Sequence, residues 1–436
     1  MAKSTNKRHF VAASASTRQS DLRLAGKSVA ETGLHQGRAH RDATPRSAHD
    51  AIGTLPATRD PVALILESNK NRIEALVPVR HSRMLESPFT FYRGTAGLQA
   101  FDLGFTPSSG ILVQCCGDAH LMNFGGFATP ERRFAFDLND FDETYPAPFE
   151  WDLKRLVPSL VLAARWRGFS EKTACDIAEA AALAYRERIT ASAGDATMDA
   201  WYAAVTWEGI RDQVSDDRKA AKSVDQIIRK AQGRTAENVF HKLTTSGNDE
   251  PRLLDQPPLL YHPPDIDVRA AAKPFLDAYA ETLRADYRSL FSRLRFVDAA
   301  LKVVGVGSVG TRCFVVLMLG EQNEPVFLQI KEARRSVLDR RSGKASQDHQ
   351  GERVVAGQRL MQSASDIFLG WARGPNRRDF YVRQLRDMKV SVEIETWAPK
   401  GLTQYGVLCG QTLARAHAKA GAAAQIAGYL GKSDAF

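Results

Sequence analysis

The stretch "ILVQCCGDAHLMNFGGF", Ile111 to Phe127, sets a carboxylate, an imidazole and an amide, those of Asp118, His120 and Asn123, directly behind an apolar run. A little further on, "RRFAFDLNDFDE" contributes Asp137, Asp140 and Asp142. Ile111 to Cys116 reads as a buried strand and Gly117 as a tight exit from it, while Phe134, Phe136 and Leu138 share one face of a second strand. The two strands are expected to pair as a hairpin, with Asp118, His120 and Asn123 in its loop and the three aspartates at its far end. Acceptor oxygens gathered in this way suit a hard cation such as Mg²⁺, which takes carboxylates together with substrate phosphates.

Downstream, "LKVVGVGSVGTRCFVVLMLGEQNEPVFLQIKEA", Leu301 to Ala333, reads as two apolar strands around a turn at "GEQNEP". Gly305, Gly307 and Gly310, with Ser308 among them, open the first strand and let backbone N–H groups approach phosphate oxygens without a Cβ clash. Lys331 ends the second.

These segments resemble kinase-like phosphotransferases of the aminoglycoside and choline kinase type. In that superfamily an Asp meets the acceptor hydroxyl, an Asn five residues later binds metal, and a second Asp ends the next strand. The resemblance implies that Asp118 is the base, with His120 orienting its loop, and that Asn123 and Asp140 are metal ligands. Asp137 is the alternative ligand and Asp142 a further metal group. "DFDETYPAPFEWDL" makes Asp152 a structural residue at a helix start, and Cys116 stands where such kinases carry a His. Lys331 resembles the phosphate-binding lysine, and Glu352, in "GERVVAGQRLMQSASDIFLGWA", the acid that pairs with it. Gln384 and Leu385, with Arg386, resemble the hinge that reaches adenine through backbone groups. "YGVLCGQTLARAHAKAG" looks like the helix that precedes the catalytic loop, and Arg93 in "FYRG" is a further candidate to meet phosphate.

The pieces stand in rotated order, with cradle, Lys, Glu and hinge after the catalytic loop, as a circular permutation would place them. The chain closely resembles a bacterial family catalogued as domain of unknown function 2252, through "LVPVRHSRMLESPFTFYRG", "CGDAHLMNFG", "NDFDETYPAPFEWDLKRL", "KVVGVGSVGTR" and "LARAHAKAG", from roughly residue 60 to the end. Members usually continue past "IAGYLGKSDAF" with another helical segment, whereas this chain stops at Phe436. The implied fold is α+β, two-lobed and protein-kinase-like in permuted order, with ATP and Mg as cofactors. The acceptor is a small-molecule or protein hydroxyl. Nucleotidyl transfer and non-catalytic nucleotide binding remain the alternatives.

The elements that must position these groups are read from periodicity and caps. Asp60 and Pro61 start a helix pattern through Ala63, Leu66, Ile73 and Leu76 that Pro78 should end. "EWDLKRLVPSLVLAARWRG" and "SEKTACDIAEAAALAYRERI", the latter capped by Ser170, read as helices with broad apolar faces. Phe275, Tyr279, Leu283 and Tyr287 form one helical stripe that reads as core. The expected organisation is a disordered basic tail over residues 1–55, a helical lobe over 56–265, a nucleotide-cradle lobe over 266–400 and a returning helix over 401–436.

The first 50 residues hold nine Lys or Arg against four Asp or Glu, about half of the net charge of +9, and few large apolar groups. Nucleic acid is therefore expected only as a weak partner of the tail. No apolar run is long enough for a bilayer span. The start lacks the apolar core of a secretory signal, so a cytoplasmic protein is expected. Five cysteines without a CxxC pair suit reduced, packed thiols better than a disulfide framework.

Overall fold

The computed structural model of the protein describes residues 28–51, 53–233, 236–245, 250–264, 266–341, 348–385 and 394–436. Six helices matter for the site: α1 (Val29–Ala43), α2 (Glu150–Trp166), α3 (Glu171–Ser192), α4 (Gln350–Met361), α5 (Pro399–Lys419) and α6 (Ala423–Leu430). The strands that matter are β1 (Leu112–Cys115), β2 (Phe124–Ala128), β3 (Phe134–Leu138) and β4 (Tyr145–Pro148), followed by β5 (Arg295–Lys302), β6 (Cys313–Leu319), β7 (Pro325–Glu332), β8 (Gly370–Arg373) and β9 (Asp379–Gln384). The chain is thus mixed α+β. No helix among the described residues is long and apolar enough to cross a membrane.

α3 starts where the Ser170 hydroxyl accepts the Thr173 N–H, and it buries Ala174, Ile177, Ala181 and Tyr185 at helical spacing. α5 lies along it. A Cβ at Gly410 would sit 2.2 Å from the Ala181 carbonyl oxygen, so the two backbones approach as closely as glycine permits. The strands β5 to β9 form an antiparallel sheet ordered β8, β9, β7, β6, β5, completed by the two-residue strand Leu260–Tyr261. The helix Val268–Ala280 covers one face, burying Phe275 and Tyr279. Val239, Leu253 and Leu260 pack on the other.

Several expectations are corrected. β1 pairs with β4 rather than with β3, and β3 pairs with β2. Gly125 and Gly126 lie within β2, where a Cβ at Gly126 would meet the Trp207 indole at 2.8 Å. Pro78 does not end a helix. It sits in the first turn of Val77–Leu85, after the helix Pro61–Glu67 has already closed, a position where its missing N–H costs nothing. The sheet also recruits residues on the near side of the expected boundary at 265, because Leu253 and Leu260 cover apolar side chains of β5 and β6.

The disordered tail is corrected over its described part. Residues 1–27 lie outside the described residues, but Ser28 and Glu31 form a capping box that opens α1. α1 packs on α6 through glycines rather than large apolar groups, which is why its composition looked unable to fold. A Cβ at Gly37 would lie 2.0 Å from the Gln425 carbonyl oxygen, and one at Gly428 2.3 Å from that of Leu34. Beyond α1, His49 Nε2 lies 2.7 Å from the Tyr429 hydroxyl, which donates to the Thr44 carbonyl at 2.9 Å. Gly428→Val is expected to lower stability by roughly 1–3 kcal/mol by forcing these backbones apart. A melting midpoint equal to that of the parent chain contradicts this docking.

Candidate active site

One carboxylate holds the loop that carries Asp118. Asp152, in the first turn of α2, accepts the backbone N–H of Cys116 at 2.7 Å and of Gly117 at 2.9 Å, and His417 Nε2 from α5 lies 3.2 Å from it. Gly117 has φ of 86°, and a Cβ there would meet the Glu143 carbonyl oxygen at 2.2 Å. The turn therefore requires glycine twice over. Cys115, Asp152 and His417 offer ligand atoms within 4.8 Å of one another. Asp152 is already occupied by the two N–H groups, His417 Nδ1 is 2.7 Å from the Tyr185 hydroxyl, and burial followed by the Asp152 charge pushes the Cys115 thiol well up. This is a packed, satisfied network of the kind expected for the cysteines.

Above that anchor, Asp118 accepts from Arg155 Nε at 2.7 Å, and the Arg155 guanidinium stacks 4.0 Å from the centre of the Tyr92 ring. His120 Nδ1 accepts the Met122 N–H at 3.2 Å and so caps the short turn Leu121–Asn123. An accepting Nδ1 carries no proton, which leaves the N–H on Nε2, 3.9 Å from Asp118. His120 is a positioning residue. The Asn123 amide donates to the carbonyls of Asp118 at 3.0 Å and Asp140 at 2.9 Å, tying the two loops together. Its Oδ1 is buried and has no hydrogen-bond partner.

From the sheet, Lys331 brings a buried ammonium to Asp142 at 2.6 Å and to both Asp140 oxygens at 3.2 Å. Burial alone would lower the Lys331 pKa, but Asp140, Asp142 and Tyr381 reverse this and hold it well above its usual range. Burial and the adjacent Asp140 charge raise the Asp142 pKa. The Tyr381 hydroxyl donates to Asp142 at 2.6 Å, and Ser308 of the glycine loop reaches the same carboxylate at 3.4 Å. Gly305 and Gly310 take φ of 63° and 85°, and a Cβ at Gly307 would lie 3.4 Å from the Arg93 carbonyl oxygen. Asp118, Asp140, Asp142, Gly307 and Ser308 line one cavity of about 640 Å³.

Other expected residues fall elsewhere. Asp137 is fully buried and saturated. It pairs with Arg415 and accepts the Ser363 N–H and hydroxyl, each at 2.8 Å, so it is an internal anchor rather than a metal ligand. Glu352 is exposed in the first turn of α4, and it is Arg353 beside it that turns inward to the carbonyls of Thr144 and Asp142. Lys331 takes the two aspartates as partners in place of Glu352. The Gln384 N–H is engaged by the Asp366 carboxylate and that of Leu385 by the Phe327 carbonyl at 2.8 Å. Arg386 lies outside the described residues. Tyr381 and Arg383 were not anticipated. Their spacing of two on one strand, with Tyr381 directly opposite Lys331, was the available signal.

The match with a family model covers residues 72–436, and that family is described as "Uncharacterized protein conserved in bacteria (DUF2252)". The chain belongs to this family. No curated protein and no solved structure matches it. The matched span takes in the Asp118 loop, Asp140 and Asp142, the glycine loop and Lys331.

Burial, helped by Arg93 and Arg155 and opposed by Asp118, presses the His120 pKa from 6.5 down to about 4. The folded value lies below the unfolded one. The neutral ring's contribution is therefore complete above pH 6.5 and is lost as pH falls towards 4, roughly 3 kcal/mol at most. The His120 ring resonance is expected to titrate near pH 4. A midpoint above 6 contradicts a neutral, capping His120.

Proposed function

We propose that this protein is an ATP- and Mg²⁺-dependent phosphotransferase, a kinase-like fold in circularly permuted order, acting on a small-molecule or protein hydroxyl. The observation that carries the reading is the meeting of Lys331 with Asp140 and Asp142 beneath the glycine loop, in the cavity that also contains Asp118. These groups come from segments about 190 residues apart in the chain. In protein kinases the phosphate-binding lysine lies on the third strand of its sheet. Lys331 ends β7, third in chain order of the five long strands here.

The donor set also fits the metal. Asn123 Oδ1 is a buried acceptor without a hydrogen-bond partner, and the Asp140 and Asp142 carboxylates beside it, both on the cavity, are oxygen donors of the kind a hard cation takes. Magnesium bound with the nucleotide would neutralise charge on the phosphate oxygens. Asp118, held in place by Arg155, accepts the proton of the acceptor hydroxyl as that oxygen bonds to the γ-phosphorus. The bond from the γ-phosphorus to the bridging oxygen breaks and ADP leaves. The glycine loop offers backbone N–H groups to the phosphates, and Lys331 offers its positive charge.

A non-catalytic nucleotide binder is the second reading, favoured by the exposed Glu352 and by the Arg155 guanidinium that already occupies Asp118. Incubation with γ- and α-labelled ATP and candidate acceptors separates the readings. Label from the γ position alone supports phosphoryl transfer, label from the α position supports nucleotidyl transfer, and neither, with Mg-ATP binding retained, supports the regulator. Mg-ATP at a hundredfold excess over its Kd is expected to stabilise the chain by about 2.7 kcal/mol. Asp118→Asn is expected to spare that stabilisation while cutting turnover by about 10² or more. An unshifted melt, or full turnover in Asp118→Asn, contradicts the assignment.

A further inference from the structure

The cavity has a second wall of opposite charge. Arg72, Arg80, Arg93 and Arg334 line it facing the aspartates. Arg80 is buried and the other three are half-buried. None of the four makes an ion pair with a carboxylate among the described residues. Their partners are neutral: Arg72 donates to the carbonyls of Ser68 and Val309, Arg80 to Asn69 Oδ1 and the Gly94 carbonyl, and Arg334 to the Lys70 carbonyl. The Nε atoms of Arg80 and Arg93 are buried with no hydrogen-bond partner at all. By contrast, Arg378 and Arg335 on the same cavity are neutralised by Glu332 and Asp339.

Guanidinium groups gathered in a partly desolvated wall repel one another. Burial, then Arg80 and Arg334, outweigh the opposing Glu143 and Glu332 charges and press the Arg72 pKa down to about 9, and burial with Arg334 presses that of Arg80 down to about 10. Such a wall is costly unless an anion meets it, since uncompensated buried charge is disfavoured. Arginine forks match phosphate oxygens in pairs, and several forks suit a dianion better than a single carboxylate. Arg93 also lies near enough to Asp118 for the two charges to interact, so an anion held there would place an attached hydroxyl beside the base.

We propose that Arg72, Arg80, Arg93 and Arg334 form the acceptor subsite, and that the acceptor is a hydroxyl compound already carrying a phosphate group. The proposal rests on the phosphotransfer reading and names the substrate class of that site. The product is then a bisphosphorylated compound, with the new phosphoester on the hydroxyl that Asp118 deprotonates.

The test is calorimetric titration of the full chain with inorganic phosphate, alone and with a saturating non-hydrolysable Mg-ATP analogue. Phosphate is expected to bind in both conditions. Arg93→Gln and Arg80→Gln are expected to raise the phosphate Kd by about tenfold or more while changing the Kd of the analogue by less than about threefold. Arg93→Lys, which keeps the charge and loses the fork, guards against misfolding and is expected to raise the phosphate Kd by a smaller factor. Three results overturn the proposal: no phosphate binding, phosphate binding indifferent to these substitutions in chains that melt like the parent, or displacement of phosphate by the analogue with both ligands weakened equally. The last result puts the arginines on the nucleotide's own phosphates. If phosphate binds through the arginines but the analogue does not bind, the anion site stands and the phosphotransfer reading falls.

Discussion

A lysine ammonium withdrawn from water must find negative charge or lose its proton, and Lys331 is only 2 % exposed. Its two carboxylate partners come from the turn between β3 and β4, whereas Lys331 ends β7 of the large sheet. That one requirement fixes how the sheet meets the helical body. Arg353 of α4 reinforces the contact by donating to the carbonyls of Asp142, Thr144 and Arg334, so both sides of the joint are gripped by one guanidinium. The buried Arg383 guanidinium interacts with the same two carboxylates, and the cavity beside the joint is also lined by Arg72, Arg80, Arg93 and Arg334. The cavity thus carries the aspartates and the four arginines on one lining.

The rest of the site is a hierarchy of supports for that cavity. Asp152 fixes the turn at Cys116 and Gly117, His120 caps the turn that follows, and Asn123 ties the Asp118 loop to the Asp140 carbonyl. Asp137, one strand register away, is spent on Arg415 and Ser363, which anchors β3 to α5 and to the end of α4. Because these supports are buried and mutually hydrogen-bonded, Asp118, Asp140 and Asp142 are the aspartates of the group left facing the cavity.

What could be read in the sequence was local chemistry. The Ser170 cap, the Asp60 cap and the turn between β6 and β7 depend on a few neighbouring residues, and each forms as expected. The Asp118 to Asn123 spacing and the aspartates were legible as residue types for the same reason. Partnership was not. Whether Asp137 or Asp140 faces the cavity depends on Arg415, nearly 280 residues away. Glu352 stands at a helix start, as the pairing acid would, but the phase of α4 is set by burial of Arg353, Val354 and Val355, which turns Glu352 outward. The strand β2 was not foreseen, and its Gly126 gains its reason only once Trp207 is packed against it. α1 lacks apolar periodicity because its contact with α6 is made by backbone, with glycines where side chains would obstruct. Of the arginine wall, Arg93 in "FYRG" was legible as a candidate, and Arg80 lies in the same stretch, but their meeting with Arg72 and Arg334 on one cavity depends on the fold.

If Lys331 and Asp140, remote in the chain, act on one bound nucleotide as proposed, their contributions to its binding are coupled. A double-mutant cycle measures it directly: the Mg-ATP affinity of Lys331→Ala, of Asp140→Asn and of the two combined. Each substitution is expected to weaken binding and the pair to be non-additive, with a coupling of at least about 1 kcal/mol, as for groups in contact within one charge network. Affinity unchanged by either substitution, or effects that add to within about 0.5 kcal/mol, would contradict a shared site.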